Sequence, residues 1–400
     1  MPNADVDQLL PDGSVIEAPD PRLTDRDKVD ILKAALPGAQ QSEVAGVRAV
    51  RFQDHVILYK QVTYLGHPWE SFKKRIQIPK SWLGAYEDAM REGLDPRFVG
   101  IYRYGDVVVI VDFGPETYIL RKANNSAAHV ATNDLYQAVT LGIFSREDSR
   151  GNRLTSVRAD RFAEYLAGAA KQEQPGIEVF RRFNEHMLTR GRLESLSAVR
   201  EMDAVMWPDR YQGEWPGFYL EFSLDRFVRE RDLDEWVAFQ KSKRKGAFDY
   251  DLVLHERDRS TFFGDLKASN AERKEAPGND AADLQRCIEE YGRFWYVVYE
   301  HDTWLSRNNG NRATVEWNEW KRARGVWPPK KEFDPLSYST RFKEAVDFNG
   351  MFVLEVNPAN IDVVLGDFHQ GHQPGGAARA VKVMIRKRNI ENFLLFSDRR

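Results

Sequence analysis

Two aspartates and one lysine stand at the ends of two short apolar runs in this 400-residue chain. Residues 252–254 and 261–263 are the apolar runs, and residues 255–260 form a charged segment between them. Such a pattern predicts a β-hairpin. Asp251 directly precedes the first run, and Asp265 and Lys267 end the second.

The alternation of side chains along a strand sets what these residues can do. Asp265 and Lys267 point to one side of the second strand, and Leu266 points to the other. If the strands pair antiparallel, Asp251 lies near Asp265. Two carboxylates suit Mg²⁺, which completes its shell with water and substrate phosphate. A neighbouring lysine can polarise a water or stabilise charge on a phosphate, so the spacing predicts a site for phosphodiester hydrolysis.

The same residues have a second interpretation, an edge hairpin whose acids and lysine form a solvated ion-pair surface worth about 0–1 kcal/mol. Acid-x-Lys triplets are common, and this chain has two others, which end at Lys274 and Lys321. Only the triplet that ends at Lys267 terminates an apolar strand and has another acid at the far end of a hairpin. This difference favours the metal site.

The pattern Asp251-Leu-Val-Leu, a turn, and then Asp265-x-Lys267 resembles the PD-(D/E)xK nuclease core, best known from type II restriction endonucleases. The resemblance covers roughly residues 215–300. No proline precedes Asp251, and Asp249 is a rival first acid; Asp251 is preferred because the apolar run begins directly after it. The resemblance implies cleavage of double-stranded DNA with Mg²⁺, or with Mn²⁺ in its place, to leave 5′-phosphate and 3′-hydroxyl ends.

The segments around the hairpin are expected to position these groups. Residues 216–230 place apolar side chains on one helical face, and Glu221 shares a side with part of it. In the resembled family a glutamate on this helix often adds an acid to the metal site, and Glu221 is its best match. A rim glutamate paired with a basic side chain is the alternative. A capped helix that stops at Gly292 and an apolar strand at 294–299 then follow the lysine, as the resemblance implies.

Two groups of side chains are candidates for contacts with DNA. A basic cluster just before the hairpin can meet phosphates. A later turn rich in Arg and Asn carries side chains suited to guanine and adenine edges. The candidates are Lys243, Arg244, Lys245, Arg307, Asn308 and Arg312. Ordinary solvated charges and an ordinary exposed turn are the alternatives.

The length of the chain suggests two domains. Residues 1–22 are rich in Pro, Asp and Gly and are expected to be a disordered tail. Residues 23–172 predict an N-terminal α+β domain, in which 117–120 is one of the expected strands. Its expected role is accessory, to hold or select DNA, although it resembles no family that we recognise. Residues 173–400 are expected to form the catalytic domain, with 361–365 as one of its strands.

Composition limits the class of protein. A net charge of −3 arises from 58 basic and 61 acidic side chains, so a locally basic DNA-binding surface remains compatible with it. The single cysteine, Cys287, gives no disulfide framework and favours the reducing cytoplasm. No apolar run approaches the roughly 20 residues of a membrane helix, and no signal peptide is recognisable, so no membrane partner is expected. The absence of a phosphate-binding glycine loop argues against nucleotide-driven translocation.

These features predict a mixed α+β protein of the α/β class. Its C-terminal part is expected to be a PD-(D/E)xK nuclease core with a central mixed sheet flanked by helices, beside the N-terminal α+β domain. The expected function is a type II restriction endonuclease. Cutting both strands of a palindrome calls for a homodimer, and a cognate DNA methyltransferase would be its genetic partner. The alternatives are a repair, mobile-element or modification-dependent nuclease on the same core, or a non-catalytic DNA-binding protein.

Overall fold

A computed structural model describes residues 5–120, 125–147, 151–169, 174–240, 250–326, 342–368, 380–388 and 390–399. The chain folds into two compact units. The first unit comprises Met1–Glu173, Pro358–Asn360 and Glu391–Phe393, and the second comprises Gln174–Asn357, Ile361–Ile390 and Leu394–Arg400. Both units contain helices and sheets, so the fold is mixed α/β.

The strands of the first unit form a seven-stranded sheet and two smaller ones. They are β1 (Asp5–Leu9), β2 (Val15–Pro19), β3 (Gln40–Val44), β4 (Val47–Phe52), β5 (His55–Gln61), β6 (Thr63–Tyr64), β7 (Lys73–Pro79), β8 (Asp95–Tyr104), β9 (Val107–Phe113), β10 (Asn125–Ala131), β11 (Ile143–Glu147) and β12 (Arg153–Arg158). The large sheet has the order β11-β12-β9-β8-β5-β4-β3, the second sheet has the order β10-β7-β6, and β1 pairs with β2.

The large sheet of the first unit is covered on both faces. The helices of this unit are α1 (Asp25–Ala35), α2 (Ser81–Arg91), α3 (Glu116–Ile119), α4 (Thr132–Leu141) and α5 (Phe162–Leu166). Ile57 on β5 packs with Leu32 of α1 and Phe162 of α5, whereas its neighbour Leu58 packs in a separate cluster with Trp82 of α2. Because consecutive residues are buried on opposite faces, these strands read as continuous apolar runs.

Phe72, just before β7, packs against Phe393 within the first unit. Its ring lies 4.9 Å from the ring of Phe393 in an edge-to-face arrangement. Both rings are buried. The first unit therefore includes a core contact between residues more than 300 positions apart.

The expectation of a disordered tail is wrong for residues 5–19, which form the β1–β2 hairpin. Val6 and Leu9 are buried, and the N–H of Leu9 donates to Tyr102 Oη at 2.8 Å. The Tyr102 hydroxyl in turn donates to Gln8 Oε1 at 3.0 Å. Composition indicated disorder because Pro, Asp and Gly are frequent in this segment. Val6 and Leu9 are nevertheless buried, and Leu9 joins the core cluster that contains Tyr102.

The strands of the second unit form a central sheet and a three-stranded sheet. They are β13 (Arg192–Glu194), β14 (Val237–Phe239), β15 (Leu252–His255), β16 (Thr261–Asn270), β17 (Glu275–Asp280), β18 (Phe294–Leu305), β19 (Lys343–Val356), β20 (Leu365–Phe368), β21 (Lys382–Arg386) and β22 (Leu394–Arg399). The central sheet has the order β13-β19-β18-β16-β15-β14, with β22 also paired to β19, and the small sheet has the order β17-β21-β20.

The helices of the second unit are α6 (Pro175–Leu188), α7 (Ser195–Ala204), α8 (Trp215–Arg229), α9 (Ala281–Tyr291), α10 (Arg312–Arg322) and α11 (Ile361–Val364). The side chain of Asp280 caps α9 by accepting from the N–H of Ala282 at 3.0 Å. Gly292 ends this helix with φ of 76°, a left-handed conformation that favours glycine. None of the helices in the described ranges is long and apolar enough to cross a membrane.

The centre of the second unit is a hairpin followed by a crossover. β15 and β16 pair antiparallel with Leu252 opposite Gly264, which is the predicted hairpin. β16 and β18 pair parallel with Asp265 opposite Tyr296. Parallel neighbours need a long connection, and α9 lies within it. The sheet is therefore mixed, and β16 belongs both to the antiparallel hairpin and to the parallel pair.

Two expected strands are short helices instead. Residues 117–120 fall largely in α3, and residues 361–365 fall largely in α11 with Leu365 as the first residue of β20. Apolar runs of four or five residues fit either a buried strand or one helical turn, so periodicity cannot distinguish the two. In α11 the first N–H, that of Ile361, donates to the carbonyl of Asn357 at 3.1 Å, which starts the helical turn.

His301 on β18 is fully buried, and its Nδ1 lies 3.0 Å from Thr303 Oγ1. Burial, with a smaller contribution from the positive charge of Lys343, lowers the pKa of His301 to about 3. The folded protein therefore holds a neutral imidazole. In the unfolded chain the same ring takes up a proton near pH 6.5.

We expect the free energy of unfolding to fall as the pH decreases from about 6.5 towards 3, because the unfolded state binds a proton that the folded state does not. The contribution of His301 is at most about 1.4 kcal/mol per pH unit. In His301→Gln this contribution should be absent. Urea unfolding of both proteins at several pH values between about 7 and 5 measures the difference, and equal pH dependence of the two would contradict it.

Candidate functional site

The end of the β15–β16 hairpin brings two carboxyl groups together. The N–H of Asp251 donates to the carbonyl of Gly264 at 3.1 Å, so the antiparallel pairing continues past Leu252. Asp251 therefore lies beside Asp265, and their side chains hydrogen-bond to each other. The side chain of Asp265 is only 2% exposed. Two carboxyls that hydrogen-bond in a buried site must share a proton.

Lys267 lies on the same side of β16 as Asp265. Its Nζ is 2.5 Å from Asp265 Oδ2, and the lysine side chain is 23% exposed. Leu266 between them is buried, as expected from the alternation of side chains along a strand. The site therefore has a buried acid at its base and a cation that reaches towards solvent.

The pKa values of the two acids move in opposite directions. Burial raises the pKa of Asp251, the hydrogen bond and charge of Asp265 raise it further, and Lys267 only partly counteracts them. Burial also acts to raise the pKa of Asp265, but Lys267 and the hydrogen bond from Asp251 outweigh it, so this pKa is lowered. Asp251 therefore carries the shared proton and donates a hydrogen bond to the ionised Asp265.

Glu221 is buried on α8, which packs against β16. Its charge raises the pKa of Asp251, but by less than Asp265 does. Within the described parts of the chain, no three His, Cys, Asp or Glu side chains are arranged to hold a metal ion. Glu221 is thus a neighbour of the carboxyl pair and does not complete a three-residue cluster with it.

The carboxyl pair fits a hard divalent cation. Asp265 Oδ1 is buried and accepts no hydrogen bond from the residues that the structure describes. A buried carboxylate oxygen without a partner is costly, and a cation would satisfy it. Mg²⁺ needs only one or two protein carboxylates, because water and substrate complete its coordination. The oxygen donors of Asp251 and Asp265 match this requirement for Mg²⁺, and Mn²⁺ accepts the same kind of ligand.

One polar residue of this site was missed by the sequence analysis. Asn279 on β17 is 2% exposed, and its side chain hydrogen-bonds to Asp265. In the sequence it stands in the segment Pro277-Gly-Asn-Asp280, which indicates helix capping, and Asp280 indeed caps α9. No local signal separates an asparagine that caps a helix from one that reaches a site on another strand.

The DNA-binding candidates that the structure describes do not gather at the carboxyl pair. Arg307 and Asn308 are exposed in the 3-10 turn Ser306–Asn309, and Arg312 opens α10 in an exposed ion pair with Glu316 at 2.8 Å. β18 continues from the register position of Asp265 to this turn, a length on the order of 30 Å at about 3.3 Å per residue. Lys243, Arg244 and Lys245 lie outside the described residues, as does the alternative first acid Asp249.

The comparisons with known proteins concern the first unit. Residues 53–166 match the family model of Methylase-associated X1. The match covers less than a third of the chain and ends before the second unit begins. No curated protein and no solved structure matches the chain. The methylase association points to a restriction-modification context, in a part of the sequence where no family was recognised from motifs.

Proposed function

We propose that the chain is a Mg²⁺-dependent DNA endonuclease of a restriction-modification system, with its catalytic residues in the second unit. The observation that carries this proposal is the hydrogen-bonded pair Asp251 and Asp265 with Lys267 Nζ 2.5 Å from Asp265. Two oxygen ligands and one neighbouring cation suit metal-assisted hydrolysis of a phosphodiester.

The order of elements supports the same proposal. Helix α8 precedes the hairpin, and α9 and the parallel strand β18 follow it. This is the order that the PD-(D/E)xK resemblance implies around its acidic pair and lysine. Glu221 lies on the helix where that family often has an additional acid. The order of these elements therefore supports the proposed site.

Each side chain has a distinct part in the proposed reaction. Asp251 and Asp265 would hold the metal, which supplies positive charge to the scissile phosphate and makes a bound water more acidic. Asp251 would have to release its proton before it could serve as a ligand. Lys267 would orient the attacking water and offset negative charge on the phosphate. Glu221 would add a further acid beside the pair, and in-line attack would leave 5′-phosphate and 3′-hydroxyl ends.

The family match of the first unit supports the restriction-modification part of the proposal. A type II enzyme of such a system acts beside a cognate DNA methyltransferase. In this proposal the first unit would serve to hold or select DNA. Cleavage of both strands at a palindrome would require two copies of the site, and hence a homodimer on DNA. Sedimentation with and without DNA tests the dimer.

Long unmethylated double-stranded DNA incubated with the full chain should yield discrete fragments with Mg²⁺ and none with a chelator. Discrete fragments are expected because the proposed enzyme recognises a sequence. The same DNA methylated on adenine or cytosine serves as the matched substrate, and preferential cutting of it would favour a modification-dependent nuclease. If neither the unmethylated nor the methylated DNA is cut with Mg²⁺ or with Mn²⁺, the result would favour a non-catalytic DNA-binding protein.

A further inference from the structure

We propose that Asn279 is a positioning residue that holds Asp265 in place as a metal ligand. This inference rests on the proposed function and deepens it by adding a residue outside the acid-x-Lys motif. It is carried by the burial of Asn279, its hydrogen bond to Asp265 and the backbone geometry that directs it there.

The amide of Asn279 supplies what a metal-binding carboxylate needs from its surroundings. Its NH₂ group donates to Asp265, whose Oδ2 also lies 2.5 Å from Lys267 Nζ. A donor of this kind fixes the rotation of the carboxylate and stabilises its ionised form. Partners that orient a metal ligand in this way commonly change metal affinity or activity by about 10- to 100-fold when removed.

The backbone of β17 is irregular at this residue. The pairing of β17 with β21 matches Pro277 to Met384 and Asp280 to Lys382, so three steps along β17 oppose two along β21. Such bulges re-aim side chains and are frequent next to active sites. Here the bulge contains Gly278 and Asn279, and it turns the asparagine towards the central sheet.

Two further features hold the bulge against the central sheet. Tyr296, the register partner of Asp265 on β18, accepts a hydrogen bond at its Oη from the N–H of Asn279 at 3.2 Å. A Cβ on Gly278 would lie 2.9 Å from the same Oη and 2.5 Å from Val383 Cγ2, so only glycine fits there. The chain therefore approaches Tyr296 closely enough for Asn279 to reach Asp265.

A purely structural asparagine offers a matched control in the same unit. Asn184 on α6 is 1% exposed, and its Nδ2 donates to Asp398 Oδ2 at 2.8 Å. It thus resembles Asn279 in burial and in having an aspartate partner, but Asp398 belongs to no carboxyl pair. Asn184→Ala reports what the loss of a buried Asn–Asp hydrogen bond does to the fold alone.

Calorimetric titration of the full chain with MnCl₂ tests the inference, together with the Mn²⁺ concentration that gives half-maximal DNA cleavage. Asn279→Ala should bind Mn²⁺ about 10- to 100-fold more weakly and need correspondingly more metal for cleavage. Tyr296→Phe, which removes only the hydroxyl that holds the bulge, should shift the affinity in the same direction by less. Asn184→Ala should lower the melting temperature and leave the Mn²⁺ affinity unchanged.

The outcomes separate this inference from the proposed function. A wild-type chain that binds no Mn²⁺ and cuts no DNA overturns the proposed function and the inference with it. Wild-type binding and cleavage with an unchanged affinity in Asn279→Ala overturn only the role of Asn279. If Asn279→Ala does not fold, an unchanged Mn²⁺ affinity in Tyr296→Phe overturns the inference in its place.

Discussion

Replacing Lys267 with alanine is expected to lower the rate of Mg²⁺-dependent DNA cleavage by about 10³-fold. The ammonium group of Lys267 lies 2.5 Å from Asp265 Oδ2, and it reaches towards solvent where a phosphate would approach. Its loss removes the stabilisation of charge that develops during phosphoryl attack, an effect of about 10²- to 10³-fold for a single well-placed donor. Its second role, orientation of the water, adds to this. Single-turnover cleavage at saturating metal measures the rate.

Lys274 provides the matched control for Lys267. It also ends an acid-x-Lys triplet, but it is exposed and lies beyond the end of β16. Lys274→Ala should cleave at nearly the wild-type rate. Cleavage by Lys267→Ala within tenfold of the wild type would show that this lysine is not part of the proposed reaction.

Asp251→Asn is expected to leave the metal-free protein at least as stable as the wild type and to abolish its stabilisation by Mn²⁺. In the folded protein Asp251 already carries a proton and donates to Asp265, so an amide can donate in its place, and near neutral pH it avoids the proton uptake that folding of the wild type requires because the pKa of Asp251 is raised. A neutral amide cannot replace the second carboxylate as a ligand. Wild-type protein at 100 times its Kd for Mn²⁺ should gain about 2.7 kcal/mol.

Thermal unfolding with chelator and with MnCl₂ measures both effects in one experiment. Asp302→Asn on the exposed side of β18 is the control, and it should keep the full response to Mn²⁺. A large loss of stability in Asp251→Asn with chelator would contradict the shared proton. A full Mn²⁺ response in the same variant would instead contradict its role as a ligand.

The carboxyl pair and its lysine were accessible to prediction because they depend on short-range order. Alternation along one strand places Lys267 beside Asp265, and antiparallel pairing across a short turn places Asp251 opposite. Both relations involve residues within about 16 positions. They also follow from the strand period, which the apolar residues of the hairpin display clearly.

Asn279 and the N-terminal hairpin were not accessible in this way. Asn279 reaches Asp265 through a bulge and a close approach to Tyr296, and neither changes the types of residue in the segment. Residues 5–19 become ordered because Leu9 packs in a core formed by strands far along the chain, and Val6 is also buried. The apolar runs that form the short helices α3 and α11 have sequences that would fit a strand equally well. The deciding contact of the N-terminal hairpin is remote in sequence, whereas the contacts of Asn279 and α11 are nearer in sequence but leave no mark in residue type or periodicity.

The edge-to-face contact of Phe72 with Phe393 has a consequence for how the protein is made. The ribosome synthesises a chain from its N-terminus, and domains usually fold as they emerge. The first unit cannot complete its core until Phe393 has been synthesised, because the ring that covers Phe72 lies more than 300 positions later in the chain. A chain that is terminated before this residue exposes an uncovered aromatic ring that chaperones and proteases can recognise.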